Sequence, residues 1–248
     1  GGSISAGAGQ YALRRAEVFA GAVTRGGFGA DVGVARSRSD GSVRNGDHDF
    51  SRASLRLQVR SAAAQTDAAI GYQEKRFGWT NLYTPFGSAE SENLQTLLLA
   101  LNHRASAGGD TTWEAGAFHR RNKDDYAFNR FAPLGPVHPY QHTTWISGAA
   151  ANGCFSVGAH AAVALRAEFT ADELHSTSLI FGRYFTRTVA KFSALPQWSL
   201  PDAEGARWLV RAGFTWDDSN RDQGRLSPVA TLTREFPGGT GLTALSLD

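Results

Sequence analysis

Hydrophobic and polar residues alternate with period two along most of this chain. From Phe155 to Phe169 every odd position is apolar (Phe155, Val157, Ala159, Ala161, Val163, Leu165, Ala167 and Phe169), while the even positions include Ser156, His160, Arg166, Glu168 and Thr170. This is the period of an extended strand with one apolar and one polar face. FGADVGVA puts Phe28, Ala30, Val32 and Val34 on one side, and ASLRLQVRS sets Leu55, Leu57 and Val59 against Arg56, Gln58 and Arg60. ARWLVRAGFTW repeats the arrangement with Trp208, Val210, Ala212, Phe214 and Trp216 opposite Arg207, Arg211 and Thr215. TTWEAGAF and TLLLALNH follow it less strictly, and the facing of LLLAL stays open. The pattern predicts about thirteen strands and no helix.

The breaks between these segments alternate in length. Tight, small-residue breaks are expected at TRGG (24–27), SAAAQ (61–65), SAGGD (106–110), NG (152–153), PDAEG (201–205) and FPGG (236–239). Between them lie RSDGSVRNGDHD, FGWTNLYTPFGSAESE, NKDDYAFNRFAPLGPVHPYQ, FTADELHSTSLIF and DDSNRDQGRL, read as long loops. Short turns on one rim and long loops on the other are the pattern of outer-membrane barrels. Read as one strand, residues 155–169 exceed the ~5–6 residues usual in soluble sheets and suit an oblique bilayer crossing of ~9–11. A slip of one residue would turn Arg166 and Glu168 toward lipid, and an Arg at the midplane costs roughly 2–4 kcal/mol. A soluble sandwich also alternates. Strand length, loop asymmetry and strand-end aromatics such as Phe155, Phe169, Trp208 and Trp216 favour the barrel.

Composition removes several classes. At 42% hydrophobic and 11% aromatic, 248 residues are too apolar for a disordered chain. Lys and Arg number 25 against 23 Asp and Glu, so a net charge of +2 offers no basic field for nucleic acid. The single Cys154 cannot close an internal disulfide and reads as a small packed side chain. The longest helix-like apolar run, 97–101, is far short of the ~20 residues of a spanning helix, so any crossing is made by strands. The lack of Met and of a basic-then-apolar leader suggests a processed or excised piece.

GGSISAGAG (1–9), GYQEKRFGWTNLY (71–83), FHRRNKDDYAFNR (118–130), YQHTTWISGAA (140–150) and AGFTWDDSNRDQGRLSPVATLTREF (212–236) resemble segments of the TonB-dependent outer-membrane receptors, within them the cobalamin-receptor-like branch. The resemblance is colinear over essentially the whole chain. It implies an all-β fold: an antiparallel transmembrane β-barrel, here partial, with about thirteen strands of a roughly twenty-two-stranded, plugged barrel. Residues 1–9 would end the plug and start the first barrel strand, and 10–248 would be the N-terminal part of the barrel. The implied activity is not enzymatic. It is capture and TonB-dependent uptake of a scarce bulky nutrient, cobalamin or a related metal chelate, at the bacterial outer membrane. A siderophore or haem receptor of the same class, a passive porin and an outer-membrane hydrolase are the alternatives. The implied partners are the nutrient, outer-membrane lipid and the inner-membrane TonB energy-coupling complex.

Ligand capture is expected from Trp79, Tyr83 and Phe86 in one long loop and from Tyr126, Phe128, Asn129, Arg130 and Tyr140 in another. Aromatic faces stack on planar or apolar ligands, and Asn and Arg orient polar groups. Asp40, Asp47 and Asp49 bring three carboxylates into one loop, which suits the oxygen shell of calcium, although the spacing is not that of an EF-hand. The resemblance points the same way, since cobalamin receptors order the corresponding loop with calcium; no other cofactor is required. Pro139 between His138 and His142 argues against a helical zinc pair. No HExxH, GxSxG, Walker or GxGxxG motif occurs, and His119, with Asp124 and Asp125 nearby, has no placed nucleophile.

Overall fold

The computed structural model describes residues 1–108, 111–133, 139–179, 186–201, 205–236 and 242–247. Thirteen strands lie among them: β1 (Gly2–Ala8), β2 (Arg14–Val23), β3 (Phe28–Ser39), β4 (His48–Arg60), β5 (Ala64–Thr80), β6 (Ala89–Ser106), β7 (Thr112–Ala127), β8 (Tyr140–Gly158), β9 (Ala161–Ser176), β10 (Arg187–Pro201), β11 (Arg207–Ser219), β12 (Asp222–Glu235) and β13 (Leu242–Leu247). They form one sheet in sequence order, every neighbour antiparallel. Each strand therefore pairs with the next one along the chain. The fold is all-β, and the strand number matches the alternation.

The register carries the alternation from strand to strand without a flip of face. Gln58, Asp67, Asn102, Gly116, Ala150 and Glu168 are successive partners on one side; Leu57, Ala68, Leu101, Ala117, Ala149 and Phe169 are successive partners on the other. The polar side is concave and encloses a space of about 1010 Å³ bordered by Gln65, Arg104, Glu114, Asn152 and Arg166. Its charges are neutralised across strands: Arg56 pairs with Asp67, Arg52 with Glu17 and Arg187 with Asp172, while Asn102 donates to Glu114 at 2.7 Å.

The apolar side has no cover. Val34 (54% exposed), Leu101 (53%) and Val59 (55%) stand in the open, and among the described residues Ala206 is the one buried hydrophobic. A soluble sandwich would bury this face against a second sheet. Here the side chains that would make a core point outward, which suits a lipid solvent. LLLAL obeys the same rule, with Leu97, Leu99 and Leu101 outward and Leu98 and Ala100 opposite Arg120 and Phe118 on the concave side.

Three sequence expectations are corrected. Residues 155–169 are not one strand: β8 ends at Gly158, the chain turns at 159–160, and β9 begins at Ala161. Phe155 pairs with Val163, so odd residues stay on one face through the hairpin and the alternation conceals the turn. Asn152–Gly153 is no turn either but lies within β8, where the Phe155 ring covers Gly153 closely enough that an added Cβ would meet it at 2.7 Å. DDSNRDQGRL is no long loop, because β11 and β12 run into it and leave a turn at 220–221. Other turns on the short rim fall at 24–27 and 61–63, and loops on the long rim at 40–47 and 81–88, with 128–133 and 177–179 the described starts of two further connections there. Parts of the expected SAGGD, PDAEG and FPGG turns lie outside the described residues, as does His138.

Candidate ligand-capture site

The long-loop rim of β5–β8 is built around one carboxylate. Glu90, the second residue of β6, is completely buried. It accepts hydrogen bonds from the backbone N–H groups of Tyr83 (2.7 Å) and Thr84 (3.1 Å) and from the Thr84 hydroxyl. A carboxylate can be buried only when donors surround it, and these three fasten the 81–88 loop to the sheet. The loop reverses through Asn81, at φ +62°, and Gly87, at φ +73°. The Asn81 side-chain oxygen accepts from the Gly87 N–H at 2.6 Å, so the reversal is closed by its own residues.

Above this anchor, aromatic rings from both predicted loops meet. Tyr83 and Tyr126 pack edge to face with centroids 5.5 Å apart, Tyr126 and Tyr140 stack at 5.9 Å, and Phe86 and Phe128 lie 6.2 Å apart. The Tyr83 hydroxyl donates to Glu92 while most of the residue (62%) remains exposed. Desolvation, then that carboxylate, pushes the Tyr83 phenol up to about 12. Phe86 is 74% exposed, so the cluster offers aromatic surface to solvent.

The eight sequence candidates divide by place. Trp79, Tyr126 and Tyr140 belong to strand ends rather than to loops, because β5, β7 and β8 run past the positions where their alternation weakens. Trp79 pairs in register with Glu90 and is half-exposed. Asn129 is used locally, its side-chain oxygen accepting from the Phe131 N–H at 3.0 Å. Arg130 grips Asp47, 83 residues earlier, through both terminal nitrogens. That hydrogen bond holds the Asp47 carboxyl below its ordinary range and raises the Arg130 guanidinium.

This clasp involves one of the three aspartates expected for calcium. Asp47 is occupied by Arg130, Asp49 by a bidentate contact with Arg36 on the outward face at 3.0 and 2.6 Å, and the Asp40 N–H donates to the Tyr11 carbonyl at 2.8 Å. Among the described residues no three His, Cys, Asp or Glu side chains are gathered for a metal. The three aspartates do not fit a calcium shell, because arginines neutralise two of them.

Sequence reasoning missed Glu90, Thr84, Asn45 and Gly78. Asn45 donates to the Thr80 hydroxyl at 2.9 Å, and the Gly78 N–H donates to the Asp47 carbonyl at 3.0 Å. Gly78 must lack a side chain, since an added Cβ would meet an Arg130 nitrogen at 2.3 Å and the Asn45 carbonyl oxygen at 2.8 Å. The one legible signal was Glu90 and Glu92 alternating at the mouth of a strand. Four histidines are held by hydroxyls on neighbouring strands: His48 by Ser37, His103 by Thr66, His119 by Ser147 and His142 by Ser176. Repeated at four places and on both faces, this pairing ties strands together and gives a hydrolytic nucleophile no special position.

No family model and no curated relative matches the chain. Among solved structures it is similar to BauA, the ferric preacinetobactin receptor of Acinetobacter baumannii (TM-score 0.58, 11% identity, covering 96% of this chain and 45% of that one). It is similar to the unliganded ferric citrate transporter FecA (TM-score 0.57, 9% identity, 96% and 42%) and to the siderophore receptor PiuA of A. baumannii (0.57, 13%, 99% and 48%). The chain spans less than half the length of these proteins. At such identities the likeness shows the fold alone: the thirteen strands follow part of the barrel of TonB-dependent receptors.

Proposed function

We propose that this chain is the N-terminal part of the barrel of an outer-membrane receptor that takes up a scarce metal chelate by TonB-dependent transport. On this reading residues 1–9 leave the plug, the short turns face the periplasm and the rim of β5–β8 captures ligand. The observation that carries it is the packing of Tyr83 with Tyr126 and Tyr140 and of Phe86 with Phe128 across two loops, with Tyr83, Phe86 and Tyr140 exposed, at the long-loop rim of a sheet whose apolar face is bare. Aromatic rings with a few fixed polar groups suit a bulky chelate, and uptake requires no chemistry on it. A ferric siderophore or ferric citrate is the first choice of cargo, because the similar structures are named for iron chelates. Cobalamin is the second.

The test is a titration of the full-length parent protein, purified in detergent, with ferric siderophores, ferric citrate and cyanocobalamin, followed by tryptophan fluorescence. A ferric chelate should bind, and Tyr126→Ala should weaken it by up to roughly tenfold. Selective binding of cyanocobalamin would move the cargo to the second choice. A folded barrel that binds none of them and passes small solutes freely in liposomes overturns the receptor reading in favour of a porin.

A further inference from the structure

The Glu90 anchor does not account for all the carboxyl groups at the long-loop rim. Glu92 is the next concave residue of β6, and Asp124 lies on the concave side of β7, one concave position below Tyr126, the register partner of Glu92. The Tyr83 hydroxyl donates to Glu92, and Asp124 comes within hydrogen-bonding reach of the same carboxyl. The Asp124 Oδ1 is buried and receives no donor. Two ionised carboxylates are acceptors only, so neither can satisfy the other. One proton between them makes one a donor to the other and removes the repulsion of like charges. No cation takes the place of that proton. From β5, Phe77 stands opposite Glu92, and Leu94 separates Lys75 from Asp124 in the register. From β8, Tyr140 stands opposite Tyr126, and His142 stands opposite Asp124 but is held by the Ser176 hydroxyl at 2.6 Å. Arg120 lies two concave positions below Asp124, Arg130 is engaged by Asp47, and Glu90 by the 81–88 loop. Among the described residues none of Lys75, Arg120, His142 and Arg130 makes an ion pair with Glu92 or Asp124. The pair lies beyond the hydrocarbon, since at its level β6 and β7 present Ser91, Asn93 and Asp125 outward and the outward apolar run begins at Leu97. Desolvation first, and then Asp124, raise the Glu92 carboxyl above its ordinary value, and the Tyr83 hydrogen bond opposes them.

We propose that Glu92 and Asp124 share one proton and that its release, as pH rises, reshapes the aromatic surface through Tyr83. The effect on ligand rests on the capture reading above; the shared proton does not. Once both carboxyls are ionised they repel, and the longer Glu92 side chain turns away from Asp124. The Tyr83 hydroxyl follows it, because a hydrogen bond to an ionised acceptor is stronger than one to a neutral acceptor. Tyr83 belongs to the 81–88 loop rather than to a strand and is 62% exposed, so no strand pairing holds it back. Its ring then leaves the edge-to-face contact with Tyr126 at 5.5 Å. Because the folded Glu92 value is raised, the packed form is complete below the ordinary ~4.3 and is lost as pH rises through the higher, folded value. Affinity for a chelate seated on the packed rings falls with it, by up to about tenfold per pH unit for one proton.

The experiment uses the full-length parent in detergent with the variants Glu92→Gln, Asp124→Asn and Tyr83→Phe, and with Glu74→Gln on the outward face as control. Infrared difference spectra follow the carbonyl stretch of protonated carboxyl groups as pH is raised. Near-ultraviolet circular dichroism follows ring packing below the pH at which Tyr83 ionises. The wild type and the control should show a carbonyl band that disappears with a midpoint above ~4.3, and a dichroism step at the same pH. Glu92→Gln should lack both, because the amide donates to Asp124 at every pH. Asp124→Asn should shift the midpoint downward, and Tyr83→Phe should keep the band and lose the step. A wild-type midpoint at or below ~4.3, or one that Asp124→Asn leaves in place, overturns the shared proton. A dichroism step that survives in Tyr83→Phe overturns its link to the aromatic surface. Neither readout needs a ligand, so a parent that binds no chelate fails the capture reading and leaves the shared proton standing.

Discussion

The long-loop rim is held in two different ways on the two sides of the sheet. From β3 to β8, Arg130 ties to Asp47 and Asn45 to Thr80 across loops distant in sequence, and the buried Glu90 at the head of β6 fastens Tyr83 and Thr84 of the loop before it. From β9 to β12, the contacts among the described residues are between neighbouring strands: Arg187 with Asp172, Lys191 with Asp217 at 3.6 Å, and Asn220 closing the short 220–221 turn onto Thr186 and Thr188. Loops that must meet a bulky ligand cannot rely on strand pairing for their shape. They need anchors that reach across strands, and among the described residues the first region has them while the second does not. Substitutions in the first region should therefore be felt at several loops at once, and those in the second only at their own hairpin.

The strongest way to break this contrast is at Glu90. Glu90→Leu removes the acceptor for two backbone N–H groups and one hydroxyl, and each buried donor left unpaired costs about 1–3 kcal/mol. A total loss of about 3 kcal/mol in the local stability of the 81–88 loop is expected. Hydrogen exchange should show the Tyr83 and Thr84 amides losing protection together while the amides flanking 220–221 stay unchanged. Asp172→Asn, the matched change on the other side, should stay within about 1 kcal/mol because its Arg187 partner is more than half exposed and water screens the pair. Equal and local effects from the two variants would remove the distinction between the regions.

A smaller effect is expected from the clasp. Arg130→Ala frees Asp47 and should cost ~1 kcal/mol, discounted for partial exposure of both partners. It should open the 40–47 loop to limited proteolysis, and the charge-exchanged pair Asp47→Arg/Arg130→Asp should restore part of the protection. The pH dependence has a definite sign. The folded Asp47 pKa lies below the ordinary value, so the stabilisation is complete above ~3.9 and is lost only as pH falls through the lower, folded value. Resistance to proteolysis should be flat across the neutral range and fall only in strong acid. A loss already between about pH 5 and 7 would assign the 40–47 loop to another titrating group.

Most of the barrel was readable because alternation is a local property. Val210, Ala212 and Phe214 announce their face from their spacing alone, and the thirteen strands agree with the about thirteen that the alternation predicts. The hairpin at 159–160 was not readable, since its register preserves the odd face and Ala159–His160 carries no turn chemistry. Asn152–Gly153 carries that chemistry but is overruled by the Phe155 ring and by pairing on both sides. At the candidate site the aromatic residues stood out by type, and five of them do meet. The groups that fix their positions did not stand out. Glu90 acts through three donors on the loop ahead of its strand, and Asp47 through an arginine 83 residues away; neither relation leaves a mark on its neighbours in sequence. The same limitation explains the calcium reading, in which three nearby aspartates were grouped although the fold assigns an arginine each to two of them.

The smallest expected effect concerns Tyr83, which joins the anchor to the aromatic surface. Its hydroxyl donates to Glu92, and loss of that bond in Tyr83→Phe should cost only about 0.5 kcal/mol, since the ring is kept. The titration is the sharper readout. With the folded phenol raised to about 12, its contribution is fully present below the ordinary value of ~10 and is lost as pH rises through about 12. The difference in tyrosinate absorbance between the wild type and Tyr83→Phe should therefore develop near 12 rather than near 10. Glu92→Gln should move it part of the way down, because the carboxylate is removed while the desolvation of the phenol remains. A difference spectrum already complete near 10 in the wild type would mean that the Tyr83 hydroxyl is free in solution. The 81–88 loop would then be held by Glu90 alone, and the contrast between the two sides of the rim would narrow to that single anchor and the Asp47–Arg130 clasp.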